Sequence, residues 1–271
     1  MVSFPNCKIN LGLNIIRKRE DGYHDLETVF LPVPFTDILE ILPADNKTHE
    51  FTITGLPASA NDNLCVKAYD LLKQDFPELP LIKMHLHKSI PIGAGLGGGS
   101  SDAAFTLLLL NEKFKLNLKT KQLLDYALRL GSDCPFFILN EPCFATGRGE
   151  KLQPINIDLK NYKILIVNPG ININTKWAFS KIIPQERKIS IQQIITQPIE
   201  TWKVELQNDF ELPVFTEYPE IRKIKEDLYE DGALYASLSG SGSSVFGIFL
   251  KEKVVKYPQS TKYFNKVVEF N

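Results

Sequence analysis

Apolar and polar positions alternate along "KINLGLNI": Ile9, Leu11, Leu13 and Ile15 fall on one face, and Lys8, Asn10, Gly12 and Asn14 on the other. A period of two predicts a half-buried strand with a polar face. The Asp-Gly of "EDGYH" predicts a turn, "LETVFLPV" a returning strand and "TDILEILP" a further one. Leu64, Ala68, Leu71 and Leu72 form a helical stripe that Asp62 or Asn63 can cap. "LIKMHLH" alternates again, with Ile82, Met84 and Leu86 inward; His85 and His87 point outward and read as structural. Helices are predicted over "SSDAAFTLLLLNEKF" and "KTKQLLDYALRLG", and short elements around turns over "SDCPFFIL" and "PCFATGRGEKL". After Gln153 the pattern restarts. "YKILIVNPG" predicts a strand, "NTKWAFSKI" a helix, "YPEIRKIKEDLYEDG" a helix closed by Gly232, and "ALYASLSGSGSSVFGIFL" two strands joined by a glycine-serine turn. Residues 185–201 show only weak periodicity, and no element is assigned to them. Two α+β domains, 1–153 and 154–271, fit this pattern.

Between the strand at "LIKMHLH" and the following helix lies "PIGAGLGGGSS", from Pro91 to Ser101, with five glycines. Glycine loses more backbone entropy on folding than any other residue, and a tight turn needs only one or two. A bare backbone leading into a helix makes an anion site instead. Unpaired amides point outward, the helix dipole favours negative charge, and a phosphate can come close. A Walker loop is excluded because no lysine follows the glycines. Gly93, Gly95 and Gly98 satisfy G-x-G-x-x-G, but the acidic residue a dinucleotide fold wants about 20 residues on is replaced by the basic "KLNLKTKQ". The companion motifs of the eukaryotic-type protein kinases are also missing.

Composition narrows the classes. The chain has 271 residues, 44% of them hydrophobic, and a formal net charge of −1. That gives no basic surface for nucleic acid. No apolar run approaches a membrane helix, so a cytoplasmic protein is expected. Cys7, Cys65, Cys134 and Cys143 are too scattered for a zinc site or disulfide framework and read as reduced core thiols.

"PIGAGLGGGSSDAA" resembles the second motif of the GHMP kinases. "KINLGLNIIRKREDGYHDLETVF", "GSDCPFFI" and "SLSGSGSSVFGIF" occur in the family's order, from near residue 8 to near residue 249. They are most similar to the branch that acts on a cytidine diphosphate-linked methylerythritol in non-mevalonate isoprenoid synthesis. The resemblance implies a ribosomal protein S5 domain 2-like N-terminal domain and a ferredoxin-like C-terminal domain. It implies an ATP-dependent kinase that phosphorylates the substrate's 2-hydroxyl, with Mg2+ accompanying the ATP and no protein ligand assigned to the metal. It assigns no oligomeric state.

By residue type alone, Asp133 is a helix cap, Lys8 a solvated strand lysine, Tyr23 and His24 turn residues, Phe179 a helix core residue and Asn63 a cap. The resemblance gives each a second reading. Asp133 becomes the base and Lys8 its partner in charge stabilisation, with Asn10 orienting the hydroxyl. Tyr23 stacks on cytosine, His24 bonds its edge, Phe179 forms a second wall and Thr175 adds a polar contact. The branch often has proline where Lys176 stands. ATP falls to Asn63, Pro91, Ile92, Gly93, Ala94, Gly95, Leu96, Gly97, Gly98, Gly99, Ser100 and Ser101. A homoserine- or mevalonate-type kinase is the nearest alternative, and Tyr23-His24 argues against it because those substrates carry no base. A nucleotide-binding regulator without catalysis is a further one, and it would not need both Lys8 and Asp133.

Overall fold

The computed structural model describes residues 1–44, 49–60, 62–255 and 263–270. In chain order it contains β1 (Val2–Ser3), β2 (Asn6–Lys18), β3 (His24–Thr36), β4 (Ile38–Pro43), β5 (Glu50–Gly55), α1 (Leu64–Asp75), β6 (Ile82–Lys88) and α2 (Gly98–Lys113). There follow α3 (Thr120–Leu130), α4 (Cys134–Leu139), β7 (Cys143–Thr146), β8 (Lys151–Pro154), β9 (Tyr162–Asn168), α5 (Thr175–Ser180), α6 (Ile191–Ile194) and α7 (Ile199–Glu205). The last elements are α8 (Glu211–Glu217), α9 (Pro219–Glu230), β10 (Tyr235–Leu238), β11 (Val245–Leu250) and β12 (Phe264–Glu269). Compactness groups them differently from a cut after Gln153. One unit comprises Met1–Cys7, Phe35–Ile92 and Gly97–Glu141; the other comprises Lys8–Pro34, Gly93–Leu96 and the chain from Pro142 onward. The chain passes between the units several times, which a pattern read along the sequence does not reveal.

In the first unit the sheet order is β1-β4-β6-β5, with β5 parallel to β6 and the other pairs antiparallel. The inward residues of β6 are those the alternation predicts: Ile82, Met84 and Leu86 join Leu39 and Ile41 in one buried layer. Against it pack Ala68 and Leu72 of α1, Ala103, Leu107 and Leu110 of α2, and Leu123 and Ala127 of α3. Asn63 caps α1, its Oδ1 accepting from the Cys65 N–H at 2.9 Å. On the other face of β6, His85 meets the hydroxyls of Thr52 and Thr54 at 2.8 and 3.0 Å, and His87 meets Thr54 at 3.0 Å. These cross-strand bonds tie down β5, a strand the sequence reading leaves unassigned.

The second unit carries two sheets, in the orders β2-β3-β7-β8 and β10-β11-β9-β12. Leu13, Ile15, Leu165 and Val167 share a core with Val214 of α8, Ile221, Ile224 and Leu228 of α9, and Leu238, Val245 and Phe249. Here β2 departs from expectation. Its polar face is buried too: Lys8 is 3% exposed, Asn10 1% and Asn14 4%. Segments distant in sequence cover it: Lys8 bonds the Gly95 carbonyl, Gly240 lies against Lys8 and Asn10, and Leu206 and Ile191 lie over Gly12. Gln207 accepts from the Leu13 N–H, and the Asp209 N–H donates back to Leu13, both at 2.8 Å. The unassigned stretch 185–201 holds α6, with a Ser190–Gln193 capping box, and the start of α7. Helices of 4 and 7 residues are too short to display a clear 3.6-residue period. All four cysteines are buried, and none is in a disulfide.

Candidate active site

The glycine loop carries positive φ at alternate positions: +65° at Gly93, +83° at Gly95 and +71° at Gly97, while Ala94 and Leu96 keep ordinary negative values. Alternating hand turns successive amides toward one side, making a concave cradle for an anion. Gly97 then starts α2 with no side-chain cap, so the first-turn amides of this 16-residue helix stay available to a ligand. Gly98 must be small, because a Cβ there would lie 3.0 Å from Ile90 Cγ2. Ile92 is exposed, and Gly93 and Gly99 are open to solvent.

Within the second unit, the loop's middle is held from two sides. The Lys8 ammonium donates to Asn10 Oδ1 and, at 2.9 Å, to the Gly95 carbonyl. The Lys8 backbone N–H donates to the Leu96 carbonyl, also at 2.9 Å. Asn10 Nδ2 donates to Thr28 Oγ1 at 3.0 Å, and the Thr28 hydroxyl donates to the Gly12 carbonyl. The Asn10 amide is therefore oriented with its oxygen toward the cation. A buried ammonium is costly unless oxygens replace its water, and here they do. From the other side, the Ser239 hydroxyl donates to Gly95 O at 2.9 Å and the Ser244 N–H to Ala94 O at 3.1 Å. The approach is close enough to require glycine twice. A Cβ on Gly95 would lie 1.9 Å from Ser239 O, and one on Gly242 would lie 2.2 Å from Ala94 C. The glycine-serine turn between β10 and β11 is thus a clamp on the loop, a role that sequence reading misses.

Within the first unit, Asp133 precedes α4 but makes no side-chain cap bond. The capping role its residue type suggests is not the one it fills here. The neighbouring Cys134 thiol, pushed up to about 12 by burial, faces the Ser100 hydroxyl, so α4 lies against the first turn of α2. Three further groups went unremarked in the sequence. Lys88 donates to both Asp37 Oδ2 and, at 2.7 Å, Asp102 Oδ2, and all three are essentially buried. Burial, opposed by Lys88 and aided by Asp37, pushes the Asp102 carboxyl up to about 7. Only Asp102 lies within a motif that the sequence singles out; Asp37 and Lys88 carry no local signal.

The remaining candidates lie in the second unit. His24 opens β3 and stacks on Phe179 of α5, with ring centroids 5.0 Å apart and planes 26° apart. Phe179 also meets Phe210 edge-on at 4.9 Å, so it is both a core-contacting residue and one wall of a ring stack. Burial, and secondarily Lys18, lowers the His24 pKa below the usual 6.5. At neutral pH its imidazole is uncharged, with one donor and one acceptor. Tyr23 is 55% exposed, and the Arg148 guanidinium lies 4.6 Å from its ring centroid. Arg148 is a further residue that the sequence reading does not single out. Thr175 and Lys176 begin α5 on its exposed side.

The chain matches the family of the GHMP kinases N terminal domain over residues 63–141 and that of the GHMP kinases C terminal domain over 190–257. It is 51% identical, over 94% of its length and 95% of the relative's, to the 4-diphosphocytidyl-2-C-methyl-D-erythritol kinase of Bacteroides fragilis. The enzyme of the same name from Cytophaga hutchinsonii is 48% identical over 92% of each chain. Among solved structures, a 4-(cytidine 5'-diphospho)-2C-methyl-D-erythritol kinase superposes over the whole of both chains with a TM-score of 0.83 and 28% identity. The mevalonate kinase of Methanococcus jannaschii shares the fold, with a TM-score of 0.77 and 16% identity.

Proposed function

The chain belongs to the GHMP kinases and, within them, to the 4-diphosphocytidyl-2-C-methyl-D-erythritol kinases, and from that premise we propose how its own residues divide the work. It is an ATP-dependent small-molecule kinase of isoprenoid precursor synthesis. The acceptor is the 2-hydroxyl of 4-diphosphocytidyl-2-C-methyl-D-erythritol. The observation that carries this reading is the loop: alternating positive φ ahead of an uncapped helix, with the Gly95 carbonyl bonded by the buried Lys8 ammonium.

Phosphoryl transfer needs positioning and charge stabilisation more than covalent chemistry. The amides from Gly93 to Ser101 and the Ser100 hydroxyl take the triphosphate, with Asn63, Pro91 and Ile92 toward the nucleoside; the Ser101 hydroxyl, expected to join them, is buried. Asp133 removes the proton from the 2-hydroxyl as that oxygen bonds the γ-phosphorus and the bond from the γ-phosphorus to the bridging oxygen breaks, with ADP as the leaving group. Lys8 stabilises the negative charge that grows on that oxygen, and Asn10 orients it. Mg2+ bound with the triphosphate would screen its charge. Among the described residues no group of three or more His, Cys, Asp or Glu is arranged to hold a metal, so no protein ligand is assigned to it. No helix among the described residues is long and apolar enough to cross a membrane, which is compatible with the cytoplasmic enzyme proposed here. The family's two domains are taken as 1–153 and 154–271.

At the other end of the substrate, Tyr23 and Phe179 offer ring faces to cytosine, with Thr175 beside them, and neutral His24 reads its edge. Stacking tolerates any base, whereas a buried hydrogen-bonding partner left unmatched is penalised. His24→Ala is expected to erode the preference in kcat/KM for the cytidine substrate over its uridine analogue, while Tyr23→Ala weakens both alike. In the parent, KM for the cytidine substrate should stay level as pH falls to the ordinary imidazole value of 6.5 and rise only below it, because burial holds His24 neutral. Wild-type discrimination and KM in both variants would contradict the assignment.

A further inference from the structure

The glycine loop is a chain segment whose two ends are fastened together beneath it, within the first unit. Asp37 Oδ1 accepts from the Ser89 and Ile90 N–H groups at 2.6 and 2.9 Å, the residues just before Pro91. Asp37 Oδ2 accepts from Lys88, and the same ammonium reaches Asp102 Oδ2, in the first turns of α2 just after Ser101. The cluster lies directly under the helix start, since a Cβ on Gly98 would sit 3.3 Å from Lys88 Nζ. All of these side chains are nearly inaccessible: Lys88 is 3% exposed, Asp37 0% and Asp102 4%.

Three buried ionisable side chains are a costly way to hold a core together, because well-packed apolar residues of similar volume would do so at least as well. The cost here is visible. Asp102 Oδ1 is buried with no hydrogen-bond partner, and so is the neighbouring Ser101 Oγ. What the cluster supplies that apolar packing would not is direction. It fixes the spacing and angle between the last residue of β6 and the first turns of α2, and so the curvature of the glycine-rich backbone spanning them. Five glycines give that backbone the freedom to fit a phosphate and equally the freedom to lose its shape. Ordering it before the ligand arrives lowers the entropy lost on binding.

We propose that Asp37, Lys88 and Asp102 are positioning residues for the nucleotide, a buried clasp that pre-shapes the phosphate loop without touching the ligand. This rests on the reading of the loop as the ATP site. The test is direct calorimetric titration of ATP, and separately of the cytidine substrate, into folded variants. Asp102→Ala leaves the Asp37–Lys88 pair neutral and intact but opens the clasp. ATP Kd should rise about tenfold or more, the scale of a lost charge-assisted bond, with the cytidine Kd within about twofold. Asp102→Asn keeps an oxygen for Lys88 and should restore ATP Kd to within about threefold of the parent. Asp102→Ser, too short to reach the ammonium, makes the same comparison should Asp102→Ala not fold. Gly97→Val separates the two layers of the argument. If it loses ATP while the open-clasp variants bind ATP like the parent, the cluster is only structural and the proposal is overturned. If Gly97→Val also binds ATP like the parent, the loop reading itself falls and takes the clasp with it. Equal loss of both ligands in Asp102→Ala would likewise overturn it, since that reports general damage.

Discussion

Asp133→Asn should lower kcat by about 10²-fold or more while leaving KM for ATP and for the cytidine substrate within about threefold. The substitution preserves size and shape and removes only the capacity to take a proton. Asp133 makes no side-chain cap bond to α4, so the substitution breaks none. Its neighbour Cys134 faces Ser100, which sets the aspartate's short helix against the start of the phosphate loop's helix independently of the carboxylate. Rapid-quench measurement of the first turnover checks that the loss lies in the chemical step. A variant that turns over at the parent's rate would remove Asp133 from the proton path.

Gly95→Ala should be the most damaging single methyl group in the loop. The residue combines φ of +83° with a Cβ direction that ends 1.9 Å from a backbone oxygen, that of Ser239. A side-chain neighbour could swing away, but a carbonyl belonging to the β10–β11 turn cannot move without releasing the Ser244–Ala94 bond as well. A stability loss of more than about 2 kcal/mol and a rise in KM for ATP of at least about tenfold are expected. Gly170→Ala is the control. It has similar φ, +77°, with nothing within 4 Å, and should lose only the conformational term of about 1 kcal/mol. Denaturant unfolding and steady-state kinetics of the two variants side by side separate backbone strain from the broken clamp.

How much of this was legible depends on how local each signal is. The alternation of Ile82, Met84 and Leu86 placed that strand's core residues, because period and burial coincide there, whereas the stripe of α1 held only for Ala68 and Leu72: Cys65 and Tyr69 are buried beside them, and Leu64 and Leu71 are only partly buried. Residue type alone points to an anion cradle at the glycine run, and the alternating positive φ of the loop agrees with that proposal. The polar face of β2 was misjudged as half-solvated, because it is covered by residues far along the chain, Gly95, Leu206 and Gly240 among them. For the same reason the alternation could not say whether Lys8 was a surface lysine or a buried cation. The clasp was invisible too: residues 37, 88 and 102 meet only once the sheet has formed, and each alone is an ordinary charged side chain. The Ser239–Gly242 turn could be read as a turn, but nothing in its residues says which backbone it grips. The short helices of 185–201 escaped because one or two turns carry too few apolar positions to show a period.

The central claim is that this chain moves the γ-phosphate of ATP to a hydroxyl of a cytidine diphosphate-linked substrate, with Asp133 as the base. Phosphorus NMR of a reaction containing the enzyme, Mg2+, ATP and 4-diphosphocytidyl-2-C-methyl-D-erythritol tests it most directly. One new phosphomonoester resonance should appear on the cytidine compound, in step with ADP, and both should be nearly absent with Asp133→Asn. ADP formed without that phosphomonoester, or the same yield of it from the Asn variant, would contradict the account.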